Sequence, residues 1–329
     1  MEQKNQYITQ YPELMKGKRI LYVHGFGSSG QSGTVTRIRE ALPCTEVIAP
    51  DLPVHPQEAM YLLNNVCAQK QPHLIIGTSM GGMYAEMLRG FDRILVNPAL
   101  QMADTMKEHN MMGSQQFQNP RQDGIQEFYV DKALVKEYRE MTGRCFEGGD
   151  SEDRMRVWGL FGDEDTTVHS LDLFHQHYPT AIRFHGGHRM NDKSFMHSVI
   201  PVIRWIDDHQ EGRERPIIYI DINSLIDKYG HPQSSSQKAV RTLLENYQVY
   251  FVAPSENTVY TTTVSWLYDY INVPAYAHTV FTERKDLLYG DYLIDADKTE
   301  GMATLIHYGS DTFKTWDDII DYFSHLGGQ

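Results

Sequence analysis

The chain has 329 residues, 41% hydrophobic and 22% charged, with 30 basic against 43 acidic side chains and a net charge of −13. At ~150 residues per domain this suggests two domains with a sizeable core, and it argues against wholesale disorder. The acidic balance disfavours sequence-independent binding to nucleic-acid phosphates or anionic membranes, so neither is expected as a partner.

The N-terminal stretch is polar and mixed in charge, without the apolar core of a secretion signal, and no run approaches the ~20 apolar residues of a spanning helix. Three cysteines, Cys44, Cys67 and Cys145, are odd in number and far apart. That spacing gives neither a disulfide framework nor a metal knuckle. They read as buried or half-buried thiols, and a reducing cytoplasm is the expected compartment.

In chain order, short apolar runs at 19–23, 47–49, 74–76, 94–96, 157–161 and 181–184 are predicted strands. Amphipathic stretches at 33–42, 57–69 and 80–88 lie between them as predicted helices. Strands alternating with helices indicate a parallel sheet covered on both faces. Residues 101–150 break the rhythm, being rich in Met, Gln, Asn and charge, with no convincing buried strand. At about fifty residues the segment is too long for an ordinary connection. It reads as a mostly helical excursion, either a lid or a solvated insertion. A closing helix is predicted over 199–206 with Pro201 in its first turn, and the polar run 207–216 as a linker. Strands at 217–222, 247–253 and 292–295, with helices at 237–246 and 262–270, then repeat the alternation. The expected organisation is a domain over 1–210 and a smaller α/β domain over 216–329.

The sharpest chemical signal is Gly77-Thr78-Ser79-Met80-Gly81, preceded by an apolar strand and followed by a helix-compatible run. A serine on such a strand-to-helix turn projects its hydroxyl from the sheet edge, and flanking glycines permit the strained backbone. Serine is a poor nucleophile unless a base takes its proton. On this architecture the acid and then the histidine follow in sequence. Asp165, in Gly162-Asp163-Glu164-Asp165, lies just past a predicted strand; Asp163 and Glu164 are its rivals. His188, in His185-Gly186-Gly187-His188, follows the next strand and is the candidate base, ahead of His185 and His197. The amides of Phe26, in the glycine-rich loop after the first strand, and Met80 are candidate oxyanion donors.

The set Val23-His24-Gly25-Phe26, Gly77-Thr78-Ser79-Met80-Gly81-Gly82 and Val96-Asn97-Pro98-Ala99 resembles the α/β-hydrolase superfamily, and within it the small YqiA-type bacterial esterases, over about residues 18–206. The resemblance implies cleavage of a small-molecule ester or thioester through an acyl-enzyme. Ser79 would be nucleophile, His188 base and Asp165 its orienting acid, with no cofactor.

In the second domain, Asp221 ends a strand and Asn223 follows two residues on. Lys285 and Asp295 come later, Asp295 again at a strand end. Strand-end carboxylates with a distant lysine can hold Mg²⁺ and a phosphoryl group. The arrangement resembles the haloacid-dehalogenase-like phosphatases, with 282–297 most similar to the deoxyribonucleotidase (5′-nucleotidase type C) branch, over about residues 216–325. The resemblance implies Asp221 as nucleophile, with Asp221 and Asp295 as possible Mg²⁺ ligands. That family's second aspartate, the proton donor, is replaced here by Asn223. An amide cannot shuttle a proton, so impaired chemistry is expected.

Overall fold

The computed structural model describes residues 7–255, 260–267 and 278–326. The chain divides into two compact units, one of residues up to 181 with 185–207 and the other of residues 182–184 with 208 onward.

The strands, in chain order, are β1 (Arg19–Val23), β2 (Glu46–Ile48), β3 (Leu74–Thr78), β4 (Asp92–Val96), β5 (Gly113–Gln116), β6 (Glu127–Val130), β7 (Val157–Gly162) and β8 (Ala181–Phe184). Six form one sheet in the order β2-β1-β3-β4-β7-β8. The pairs from β2 through β7 are parallel. Ile20, Leu21, Val23, Leu74, Ile75, Ile76, Ile94 and Leu95 are wholly buried. Their unbroken apolar runs are what a sheet covered on both faces requires. Helices α1 (Gly33–Ala41), α2 (Pro56–Lys70) and α3 (Met80–Met87) follow β1, β2 and β3 in turn. After β1 the chain moves to one side of the sheet and after β3 to the other. The loops leaving these two neighbours therefore open on a crevice at the carboxyl edge, where α/β sheets place their sites.

Helix α3 crosses the strand ends in backbone contact. A Cβ on Gly81 would lie 2.0 Å from the Val23 carbonyl oxygen, and one on Gly77 would lie 2.3 Å from that of Gly81. The two glycines of the pentapeptide are therefore packing requirements as well as turn residues.

Residues 101–150 are not mainly helical. Helices α4 (Met102–Glu108) and α5 (Lys132–Thr142) flank the antiparallel hairpin β5–β6. The hairpin's strands alternate covered and exposed side chains, β5 is polar throughout, and only Phe128 and Val130 of β6 are apolar and covered, so no long apolar run betrays it. The closing helix also differs from expectation. It spans Ile200–Glu211, continuing into the stretch read as linker, and a π-helical turn, Phe195–Val199, precedes it. Its polar last residues include Asp207, which pairs with Lys18 at 2.7 Å. Cys67 and Cys145 are buried, but Cys44 is exposed, contrary to its expected burial. Burial pushes the Cys67 thiol up to about 11, away from reactivity.

The second unit holds β9 (Ile217–Asp221), β10 (Gln248–Ala253), β11 (Thr279–Phe281), β12 (Tyr292–Asp295) and β13 (Thr304–His307), all parallel in the order β11-β10-β9-β12-β13. The edge strands β11 and β13 are short and only half-buried, and the sequence does not announce them. Trp316, fully buried in the last helix, donates its indole N–H to the Ser224 carbonyl. The end of the helix expected over 262–270 lies outside the described residues. Among the described residues, no helix is long and apolar enough to cross a membrane.

Candidate active site

Ser79 occupies the turn between β3 and α3 with φ 54° and ψ −121°, a conformation that costs a non-glycine residue of order 1–3 kcal/mol. The end of β4 holds it there. The Ser79 amide donates to the Val96 carbonyl, and the Ala99 and Gly82 amides donate to the Ser79 carbonyl, at 2.9–3.0 Å.

His188 lies on the loop after β8. Its Nε2 is 3.0 Å from Ser79 Oγ, and its Nδ1 is 2.8 Å from Asp165 Oδ2. An ionised Asp165 accepts the Nδ1 proton, which leaves Nε2 free to accept from the serine hydroxyl. Burial works to raise the Asp165 pKa. The hydrogen bond from His188 and those from the Thr167 and Val168 amides outweigh it and hold the carboxyl below its ordinary value. The rival acids are engaged elsewhere. Asp163 accepts from the Gly186 amide and faces His185 at 3.2 Å, while Glu164 lies 3.9 Å from the other His185 nitrogen. Ser79, Asp165 and His188 thus come together, although 109 positions separate the serine from the histidine.

Asn97, just past the end of β4, has a role that its place in Val96-Asn97-Pro98-Ala99 does not disclose. Its φ is 44°, in the left-handed region that asparagine tolerates better than most residues. Its Nδ2 donates to the Gly187 and His188 carbonyls at 3.1 and 3.0 Å, and its Oδ1 accepts from the Gly162 amide at 2.7 Å. One amide therefore joins the loop carrying Asp165 to the loop carrying His188. The only available signal was an asparagine directly before a proline at a strand end.

The loop after β1 approaches the serine from the other side: a Cβ on Gly25 would lie 3.3 Å from that of Ser79. Phe26, next along, lines the same cavity, and its ring packs edge-on against Phe128 of the hairpin. Met80 sits directly after the nucleophile, and the Tyr138 hydroxyl contacts its sulfur. His24 anchors the loop from beneath. The Leu52 amide donates to its Nε2, so the ring proton lies on Nδ1, which faces the Gly25 carbonyl at 2.9 Å. Burial lowers the His24 pKa to about 4. The unfolded chain takes up this proton below about 6.5, whereas the folded chain resists until about 4. His24 therefore withdraws stability as pH falls through that window, about 2 kcal/mol by roughly pH 5. The loss of stability between neutral pH and pH 5 in denaturant titrations should shrink by that amount in His24→Gln. An identical loss in the variant would remove His24 from the account.

The cavity above Ser79 has a volume of about 730 Å³. The hairpin and its loop form one wall. Gln118 donates its amide to the Gly27 carbonyl, Asn119 bonds the Ser28 hydroxyl, and Gln115, Gln116 and Phe128 face the interior.

In the second unit, Lys285 Nζ lies 3.0 Å from Asp221 Oδ2 and 2.7 Å from Asp295 Oδ2. Burial raises the Asp221 pKa above its ordinary range in spite of that ammonium. Burial also opposes the charge on Lys285, but the bonds to Asp295 and Asp221 prevail and raise its pKa. Asp221 Oδ1 accepts from the Asn223 amide, Asp295 Oδ1 from the Asp297 amide, and Asp295 Oδ2 also from the Thr299 hydroxyl. All four carboxylate oxygens thus have donors. Among the described residues no group of three or more His, Cys, Asp or Glu side chains is disposed to hold a metal ion. Lys285 offsets one of the two carboxylate charges, and Asp221 and Asp295 are the residues that would hold an Mg²⁺ ion there.

A parallel sheet in this strand order, with a strained serine at the end of β3, a histidine after β8 and an acid after β7, defines an α/β-hydrolase. The chain belongs to the uncharacterised protein family UPF0227, whose model matches residues 19–203. It is also 28% identical over 130 residues, 36% of this chain and 71% of the other, to a Vibrio phage KVP40 protein provisionally named a 5′(3′)-deoxyribonucleotidase. Similar solved structures include the esterase RhEst1 from Rhodococcus sp. ECU1013, at 16% identity and TM-score 0.35, covering 60% of this chain and 92% of that one. Another is the α/β hydrolase GrgF from Penicillium sp. sh18, at 11% identity and TM-score 0.37, covering 62% and 92%.

Proposed function

We propose that the first unit is a serine hydrolase that cleaves a small carboxylic ester or thioester through an acyl-enzyme. The observation that carries this reading is the hydrogen-bonded line from Ser79 through His188 to Asp165, at 3.0 and 2.8 Å. In the proposed cycle His188 Nε2 takes the Ser79 proton as Oγ attacks the substrate carbonyl carbon. The oxyanion of the tetrahedral intermediate accepts from the amides of Phe26 and Met80. Collapse breaks the bond to the alcohol or thiol, which leaves with the proton from His188. Water, deprotonated by the same nitrogen, then attacks the acyl-enzyme and regenerates Ser79. Asp165 stays ionised and steadies the imidazolium formed in each half-reaction.

A fluorophosphonate probe, followed by peptide mapping of the whole protein, tests this directly. Modification at Ser79, abolished in Ser79→Ala, is the expected result; no labelling under native conditions would sink the proposal. Asn97 serves as a positioning residue. Asn97→Ala should lower kcat about 10–100-fold with KM within a few-fold, because misaligned loops spoil proton transfer more than binding. An unchanged kcat would remove that role.

The second unit is read as a phosphatase-like fold with impaired chemistry, because Asn223 cannot donate a proton to a leaving group. The full chain should therefore turn over 4-nitrophenyl phosphate negligibly with added Mg²⁺. Brisk turnover that vanishes in Asp221→Asn would overturn this.

A further inference from the structure

We infer that the cavity over Ser79 contains an anion-binding subsite at the start of α1, so that the ester cleaved there carries a second, negatively charged group such as a carboxylate or phosphate. This inference rests on the hydrolase reading and names its substrate class.

Helix α1 opens into the cavity through Ser32, Gly33 and Thr34. Its first turn holds no acidic residue, and Ser32, in the capping position, makes no capping bond. The Ser32 hydroxyl is buried, the residue being 6% exposed, and it finds no hydrogen-bond partner among the described residues. The Ser32 carbonyl receives the Val35 and Thr36 amides, but among the described residues no backbone acceptor serves the amides of Gly33 and Thr34. Unclaimed donors at a helix start, reinforced by the helix dipole, favour a negative ligand. A buried hydroxyl without a partner is rare enough in native proteins to need an explanation, and a ligand oxygen supplies one.

Arg37, one turn further along α1, also faces the cavity. It gives its Nε to Asp192 and makes no hydrogen bond from either terminal nitrogen among the described residues. That edge of the guanidinium remains open for two oxygens. The Tyr22 hydroxyl ties this corner to the catalytic one: it bonds Thr78, beside the nucleophile, at 2.8 Å, and Ser32, Thr34 and Arg37 surround it. The lining as a whole agrees. It includes Arg37 and Arg189 but no aspartate or glutamate, in a chain of net charge −13. Asp192 is paired with Arg37 and does not line the cavity. An anion at the start of α1 would offer acceptors to the two amides and the guanidinium edge, which a neutral group serves less well.

Two matched ester pairs test the inference with the full chain. One places charge on the acyl side (4-nitrophenyl hydrogen adipate against 4-nitrophenyl hexanoate), the other on the alcohol side (4-butyryloxybenzoate against its methyl ester). In one pair the anionic member should have a kcat/KM about ten-fold higher at low salt, the advantage fading as salt rises. The preference should fall towards unity in Arg37→Met and weaken in Ser32→Ala, which removes a single oxygen and spares the fold. A second readout needs no turnover: calorimetric titration of Ser79→Ala with monomethyl adipate, which should bind more tightly than dimethyl adipate. Ester cleavage at Ser79 without charge preference in either pair, and with equal binding of the two adipates, would overturn the subsite and leave the hydrolase standing. Selective binding of the monoester without cleavage of any ester would uphold the subsite and overturn the hydrolase.

Discussion

Truncating His188 to alanine lowers kcat for ester hydrolysis by ~10⁴-fold or more, and adding Ser79→Ala to it costs nothing further. Independent contributions would multiply. Here the imidazole acts only by taking the proton of one hydroxyl 3.0 Å away, so removing either group disables the same step. Asp165→Asn should follow with a loss approaching the same order, because an amide in that position favours the wrong ring tautomer. Asp163→Asn and Glu164→Gln, whose carboxylates face His185, should stay within a few-fold of the parent. Steady-state rates for the two single variants and the double variant decide the matter. A double variant slower than both singles by another large factor would mean that the two residues do not form a unit.

Arg93→Met should destabilise the first unit by about 3–5 kcal/mol, the penalty expected when a buried carboxylate loses its cation. Arg93 is completely buried in β4. Its guanidinium donates to the carbonyls of Glu86, Phe91 and Asp153 and pairs with the Asp153 carboxylate at 2.7 Å. Beside it, the fully buried Glu86 accepts from Arg89, the Phe146 amide and the Tyr178 hydroxyl. Methionine matches the stem but supplies none of the donors, so three carbonyls and a carboxylate lose bonds together. The thermal midpoint, followed as loss of fluorophosphonate labelling so that it reports this unit alone, should fall by roughly 10 °C. A drop worth under about 1 kcal/mol would mean that water or neighbouring side chains replace the lost donors.

Much of the first unit was legible in the sequence because its parallel strands are buried on both faces. Runs such as Leu74-Ile75-Ile76 admit few other readings. The candidate triad was legible for a related reason: strand ends are easily located, and Ser79, Asp165 and His188 each stand just past one. What was hidden depends on polar side chains. The hairpin of residues 113–130 shows only Phe128 and Val130 on its covered face, too short a pattern to betray a strand, and Arg93 looks like any charged residue flanking a strand. The bridging by Asn97 exists only once three loops have met. The length of the closing helix was obscured by Asp207 and Asp208, which read as linker, although Lys18 pairs with the first and Arg213 and Arg215 with the second. In the second unit the strand ends make Asp221 and Asp295 visible in the sequence, and the structure brings Lys285 to both. Sequence could not reveal that the lysine would sit within bonding distance of both acids.

The hairpin pairs with no strand of the main sheet, and it is pinned to the loop after β1 by the Gln118 and Asn119 contacts. The proton relay is braced from the opposite direction, through β4 and Asn97. The two halves of the site therefore rest on different supports: the hairpin steadies the loop of Phe26, and Asn97 steadies the relay. Drift in the rim reaches the oxyanion side of the site without passing through the relay.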